Sequence, residues 1–257
     1  MFIKILLLSI LFNSAFNMTA IELVDLIDNR PIPNDIKSLN TMKIINKKGR
    51  EKNLELITKS KDNSERQMIW FISPPDDKGM SFLKIEYDDK DDLMKMWLPG
   101  FKKFRRISST KKSDSFMGSD LSFEDLTNRN KEDYDYKIIS SEDKCSYKNS
   151  EYNCYKLESS PKIKSSYSKH LTWIINLNNV YIAIKEHSFD TNGDLLKIKE
   201  IQFQEIKNQE STYYIMNNLF VQNVQKNTST SLSVNDIEIN LGIDNSYFND
   251  MNLKRLP

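Results

Sequence analysis

Apolar residues in this chain recur at every second position over short runs, and a turn signal closes most runs after roughly ten residues. That rhythm restricts the chain to a meander of antiparallel strands. Met42, Ile44 and Asn46 alternate with Lys43, Ile45 and Lys47, and Lys48-Gly49 predicts a hairpin turn into Glu51–Ser60. Gln67–Ser73 is dense in strand formers and is followed by Pro74-Pro75 and a polar loop to Gly79. Met80–Tyr87 and Leu93–Leu98 are the next strands, with an acidic turn over Asp88–Asp92 between them. The second half continues with Tyr134–Ser140, Tyr152–Glu158 and Leu171–Leu177. Its clearest hairpin joins Val180–Phe189 to Leu195–Ile206 through Asn192-Gly193, a pair that favours a type I′ turn because both central positions need positive φ. Ser211–Gln225 carries a further apolar stretch.

Helices are few. Ile21–Asp28 has apolar residues at helical spacing and Pro31 ends it, while Asn245–Leu256 reads as a short closing helix. Only six glycines serve all these turns, so Asn, Asp, Ser and Lys must form most of them. Nothing in the chain resembles an internal repeat or a domain linker. The expectation is one mainly β domain over residues 21–257, a single large antiparallel sheet.

The first residues read as an export signal. Lys4 is followed by the apolar run Ile5–Phe12, far short of the roughly 20 residues a membrane span needs. Ala15 and Ala20 are the candidate cleavage points, with a leader over residues 1–20 favoured. The mature chain is therefore expected in the periplasm, without stable membrane insertion. Charged residues form 28% of the chain but balance to +1, which argues against a dedicated nucleic-acid binder. The only two cysteines, Cys145 and Cys154, flank a polar, turn-prone stretch and read as a disulfide across a hairpin.

Catalytic and metal signals are weak. His170 and His187 are the only histidines, and neither sits in a nucleophile, zinc or phosphate-loop motif. Asp190–Asp194 imitates the start of a calcium loop, but its glycine is out of register and the twelfth position is Ile201 where a glutamate is needed. No cofactor, metal or enzymatic role is expected. The apolar strand residues carry the functional expectation instead. Trp70, Phe82, Met94, Met96 and Leu98, with Phe116 and Met117 from a segment able to cover the sheet, are candidates to line or lid a binding cavity. Methionine suits surfaces that accept varied apolar partners. Arg105 and Arg106 are adjacent on a strand, so one points in and one out. They are read either as contacts to a lipid phosphate, a ligand carbonyl or a partner, or as ion pairs to Asp120, Glu124 or Asp125.

Met94–Leu126 joins a strand-like run, Pro99-Gly100, Arg105-Arg106-Ile107, Ser115–Asp120 and Phe123–Leu126 without a gap. With Phe71–Pro75, Lys78-Gly79, Phe82-Leu83 and the end of the chain from Gly242 to Arg255, it resembles the LolA-like outer-membrane lipoprotein-sorting family over nearly the whole mature length. The resemblance implies a curved, unclosed half-barrel with helices on its concave side and acyl chains held between them. It also implies carriage of a lipoprotein or other lipid toward the outer membrane. This branch looks closer to relatives that accompany exporters of the resistance-nodulation-division type. The alternative is a non-enzymatic protein-binding envelope module on the same fold.

Overall fold

The structure is a computed structural model that describes residues 18–208 and 211–257. The expected leader lies outside the described residues as far as residue 17. Helix α1 (Ala20–Asp28) opens the described chain, with Thr19 accepting from the Glu22 amide and the Glu22 carboxylate returning to the Thr19 amide. A cut after Ala15 would keep this cap and a cut after Ala20 would remove it.

Among the described residues thirteen strands form one antiparallel sheet. In chain order they are β1 (Asp35–Ile45), β2 (Glu51–Lys61), β3 (Arg66–Ser73), β4 (Ser81–Ile85), β5 (Leu93–Leu98), β6 (Lys103–Ile107) and β7 (Tyr134–Tyr147). Then follow β8 (Ser150–Pro161), β9 (Lys169–Leu177), β10 (Val180–Phe189), β11 (Leu195–Asn208), β12 (Ser211–Asn223) and β13 (Thr228–Ile239). Sheet order runs β6 to β1, crosses to β13, and returns through β12 to β7. The meander is thus two runs of neighbouring hairpins joined where β1 pairs with β13. β6 and β7 remain as edges, so the sheet is an open half-barrel and not a closed one.

Three local differences from the sequence reading have plain causes. Strand β13 carries little sequence signal because Thr228–Ser231 are all hydroxyl residues and only Leu232 and Val234 alternate as apolar positions before Asn235-Asp236. At Asn192-Gly193 only the glycine has positive φ, so the turn is not type I′. It is wider, closed by the Asp190 amide donating to the Asp194 carbonyl while the Asp190 carboxylate accepts from the Asn192 and Asp194 amides. The closing helix is broken: a single 3-10 turn at Asn245–Tyr247 is separated from helix α2 (Asp250–Leu253) by Phe248 and Asn249, and Asn249 caps α2 with its side chain.

Cys145 and Cys154 are bonded across the β7–β8 hairpin, with Cα atoms 6.1 Å apart. Closing so short a loop restricts the unfolded chain. Replacing both cysteines by serine should therefore lower stability by roughly 2–3 kcal/mol in urea unfolding. An unchanged midpoint would show that the bond contributes nothing.

Candidate functional site

Register decides which side chains share a face. Met42 pairs with Leu54, Leu56 with Phe71, Ile69 with Phe82, Phe82 with Met96, and Met94 with Ile107. These buried residues form one apolar face, and Phe116, Leu121 and Phe123 pack on it from the segment between β6 and β7. The face continues beyond β13: Val221 pairs with Lys199, Lys199 stands next to Glu186 in register, and Glu186 pairs with Thr172. Ile174, two residues on from Thr172, packs against Leu23 and Val24 of α1. Helix α1 and the β6–β7 segment therefore cover the same side of the sheet.

A tight turn plants Phe116 in that face. Met117 and Gly118 both have positive φ, and the Ser119 amide donates to the Phe116 carbonyl at 2.9 Å. Glycine takes this conformation without cost, whereas Met117 is held there by the closure of the turn. The Phe116 ring meets Phe82 at 5.4 Å between centroids and Phe123 at 5.7 Å. Asp120 then ties the segment to β13: its amide donates to the Thr230 hydroxyl at 2.9 Å, and its carboxylate accepts from Thr228 and Thr230.

Further along the segment lies a buried ionic network. The Asp125 carboxylate, 1% exposed, accepts from Lys197 at 2.7 Å and Lys199 at 2.8 Å, and from the Tyr167 hydroxyl at 3.0 Å. Lys199 also reaches Glu186 at 3.0 Å, and Arg129 donates to both Glu186 oxygens at 2.6 and 2.9 Å. Burial alone would raise the Asp125 carboxyl, but Lys199 and Lys197 outweigh it and hold it well below the usual carboxylate range. Glu186 is held low in the same way by Arg129 and Lys199 against its burial. His170 Nδ1 accepts from Arg129 at 3.2 Å and lies 2.9 Å from the Ser188 hydroxyl, which leaves the proton on Nε2. Burial first, and Arg129 second, push the imidazole down to about 3.

Between the sheet, the β6–β7 segment and the loop that follows α1 is a cavity of about 350 Å³. Its apolar wall comes from Met42, Leu56, Ile69, Phe116, Leu121, Leu219 and Leu232. Arg30, Ser38, Asn40, Thr58, Ser60 and Gln67 form a polar stretch, and Asp125 touches the cavity from the network. The arrangement offers an apolar slot with one polar end, a shape suited to holding an amphiphile. Its volume falls at the lower end of the range for ligand pockets, roughly 300–1,000 Å³.

The residues singled out in the sequence separate here. Phe116 lines the cavity. Phe82, Met94 and Met96 belong to the packed core behind it, with Leu98 and Met117 half-buried at its margin. Trp70 faces the other way, because it precedes Phe71 by one position in β3. It packs with Met68, Leu83, Phe248 and Leu253 under α2, its indole donating to the Asn252 carbonyl at 3.3 Å. Arg105 and Arg106 are exposed on edge strand β6, and neither is in an ion pair with Asp120, Glu124 or Asp125. The hydroxyls of β13 satisfy Asp120 instead, and Ser165 and Ser166 satisfy Glu124. The sequence reading missed Arg129, Glu186, Lys197 and Lys199. The alternation Lys197, Lys199 opposite Glu186 was the available signal, since charges at every second position of a strand share one face.

Among the described residues there is no group of three or more metal-ligating side chains, and no helix is long and apolar enough to cross a membrane.

Comparison with known proteins identifies the architecture. An outer membrane lipoprotein-sorting protein domain from Vibrio parahaemolyticus superposes with a TM-score of 0.80 at 24% identity, over 92% of this chain and 98% of that one. A DUF1329 family protein from Desulfovibrio piger gives 0.79 at 24% identity, over 92% of this chain and 100% of that one. A LolA superfamily protein from Nitrosomonas europaea gives 0.66 at 18% identity, over 91% and 99% of the two chains. No curated protein matches the sequence. A family model described as "-like: Uncharacterized protein" matches residues 63–255. The chain belongs to the family of that model, and its half-barrel is the fold of the LolA-like lipoprotein-sorting proteins.

Proposed function

We propose that this protein is a periplasmic carrier that holds an acyl chain of a lipoprotein or other lipid and moves it toward the outer membrane. The observation that supports the reading is the cavity between the covered sheet face and the β6–β7 segment, apolar along most of its wall. Each methylene transferred from water into such a slot is worth about 0.8 kcal/mol, so a modest chain binds without any chemistry on the protein's part. Phe116 is the inserted wall residue, and Phe82, Met94, Met96, Leu98 and Met117 form the packing that holds it. No residue acts as a catalyst in this scheme; release needs only an acceptor that binds the chain more tightly.

Native mass spectrometry of gently purified mature protein, followed by lipid extraction, tests the proposal. A stoichiometric acylated adduct is expected, and Leu219→Trp, which fills the slot, should abolish it. Protein that is lipid-free and refuses fluorescent fatty acids would overturn the reading.

One feature favours a second role beside the first. Phe101 is 73% exposed at the β5–β6 turn, next to the exposed Lys102, Lys103, Arg105 and Arg106. Such a basic edge with an aromatic tip suits docking on an exporter or an outer-membrane acceptor.

A further inference from the structure

The polar end of the cavity has its own chemistry. Asn40 is 5% exposed and lines the cavity, with its Nδ2 donating to the Thr58 hydroxyl at 2.6 Å and its Oδ1 left without a partner. Turning the amide over would leave the amide nitrogen facing the cavity instead, because the Thr58 hydroxyl serves either orientation. An unpaired amide in so buried a place costs stability unless a bound group completes it.

Arg30 stands at the same end, just before β1 begins. Among the described residues its one hydrogen bond is Nη1 donating to the Ile27 carbonyl at 2.9 Å, and its buried Nε has no partner there. Burial lowers the guanidinium's hold on its proton, and the charge of nearby Asp28 only partly offsets this. The other carboxylates around the cavity are already engaged. Asp35 accepts from the amides of Leu241, Gly242 and Ile243, and Asp125 is held by its two lysines. A guanidinium with free donors beside an apolar slot is a place for an anion.

We propose that the cavity takes a single-chain amphiphile with an anionic head, a carboxylate or a phosphate ester, seated at Arg30, its head-to-tail junction at Asn40 and its chain running toward Phe116. This rests on the carrier reading and names the ligand class for the same cavity. The volume fits one chain better than two. The polar positions Ser38, Asn40, Thr58 and Ser60 lie toward the start of β1 and the end of β2, while Met42 and Leu56 carry the slot onward, so head and tail have separate places.

Displacement of a fluorescent fatty acid at pH 7.5 tests it, with dodecanoate, its methyl ester, dodecyl phosphate and inorganic phosphate as competitors. Dodecanoate and dodecyl phosphate should compete at concentrations about tenfold below the ester, a difference of the size of one charge-assisted hydrogen bond. In Arg30→Gln that preference should shrink to about twofold with the ester unchanged. Asn40→Asp, which adds a negative charge at the junction, should remove it as well and covers the case in which Arg30→Gln fails to fold. An ester that binds wild type as tightly as the acid overturns the anionic head while leaving the carrier intact. Inorganic phosphate that competes as well as dodecyl phosphate also overturns it, because the site would then recognise a free anion. If no acyl compound binds at all, the carrier reading fails together with this one.

Discussion

Replacing Asp125 with alanine should destabilise the protein by about 3–5 kcal/mol, because it leaves Lys197 and Lys199 buried without their shared carboxylate. The Asp125 side chain is 1% exposed, and the Lys197 and Lys199 side chains are 7% and 10% exposed. Water therefore cannot replace what the carboxylate supplies. Lys199 keeps a second partner in Glu186, but Lys197 keeps only the Tyr167 hydroxyl at 2.8 Å. The substitution also removes the anchor of the covering segment, since Asp125 receives the Ser122 amide and hydroxyl at 2.8 Å each. Urea unfolding at pH 7 measures the cost. Adding Lys197→Met to the alanine variant should recover part of it, since an apolar side chain carries no buried charge. A loss below 1 kcal/mol would mean that the network relaxes into solvent and does not hold the cover.

The same network shows why the site was only partly legible in the sequence. The sequence offers Asp125, with Asp120 and Glu124, only as one of several partners for Arg105 or Arg106, which lie within about twenty residues of it. Its actual partners are on β11, more than seventy residues away. An ion pair across a sheet depends on which strands become neighbours, and the joining of β1 to β13 that brings β11 under the segment leaves no local trace. For Phe116 and Met117 the sequence supports only a segment able to cover the sheet; the Met117-Gly118 turn that aims the Phe116 ring inward appears in the structure alone. That Trp70 turns away from the cavity is hidden in the sequence for a different reason. Its strand QMIWFIS is apolar on both faces, with Met68, Ile69, Trp70 and Phe71 all buried, so the alternation that assigns a side is missing.

The strands themselves were legible wherever one face met water. β1, β2 and β10 alternate buried and partly exposed residues, and their turns carry Gly, Asn or Asp. β13 shows the limit. Its buried Thr230 serves the Asp120 carboxylate and amide and not the apolar core, so the position that fixes it is polar. Leu232 and Val234 on the same face are apolar and line the cavity, but they follow the hydroxyl run Thr228–Ser231 and give a hydrophobic period too short to mark the strand. The polar end of the cavity escaped notice in the same way, because Ser38, Asn40, Thr58 and Ser60 are inward-facing and hydrophilic.

Acidification from pH 7 to 4.5 should cost the wild-type protein about 2.5 kcal/mol through His170 alone. An unfolded histidine titrates near 6.5, whereas burial and Arg129 push His170 down to about 3. As pH falls between these values the unfolded chain takes a proton that the folded chain refuses. Stability therefore declines by up to about 1.4 kcal/mol per pH unit, and below about 3 both states are protonated and the contribution stops changing. The buried carboxylates act in a different window. Asp125 and Glu186 have folded values held below the unfolded ones, so their contribution is complete above about pH 4 to 4.5 and is lost only as pH falls further. His187 adds to the histidine slope, since burial lowers it too, whereas Asp28, raised by its burial, acts in the opposite sense. Comparison with His170→Asn cancels both. Asparagine keeps a polar group beside Arg129 and Ser188 but cannot titrate, so the difference in stability between the two chains should itself shift by about 2.5 kcal/mol over this range in urea unfolding. A difference that stays constant with pH would show that the folded protein accepts the proton on His170 without opening. Nε2, buried without a partner in the structure, would then have access to water, and the β6–β7 segment would be a looser cover than its buried ion pairs imply.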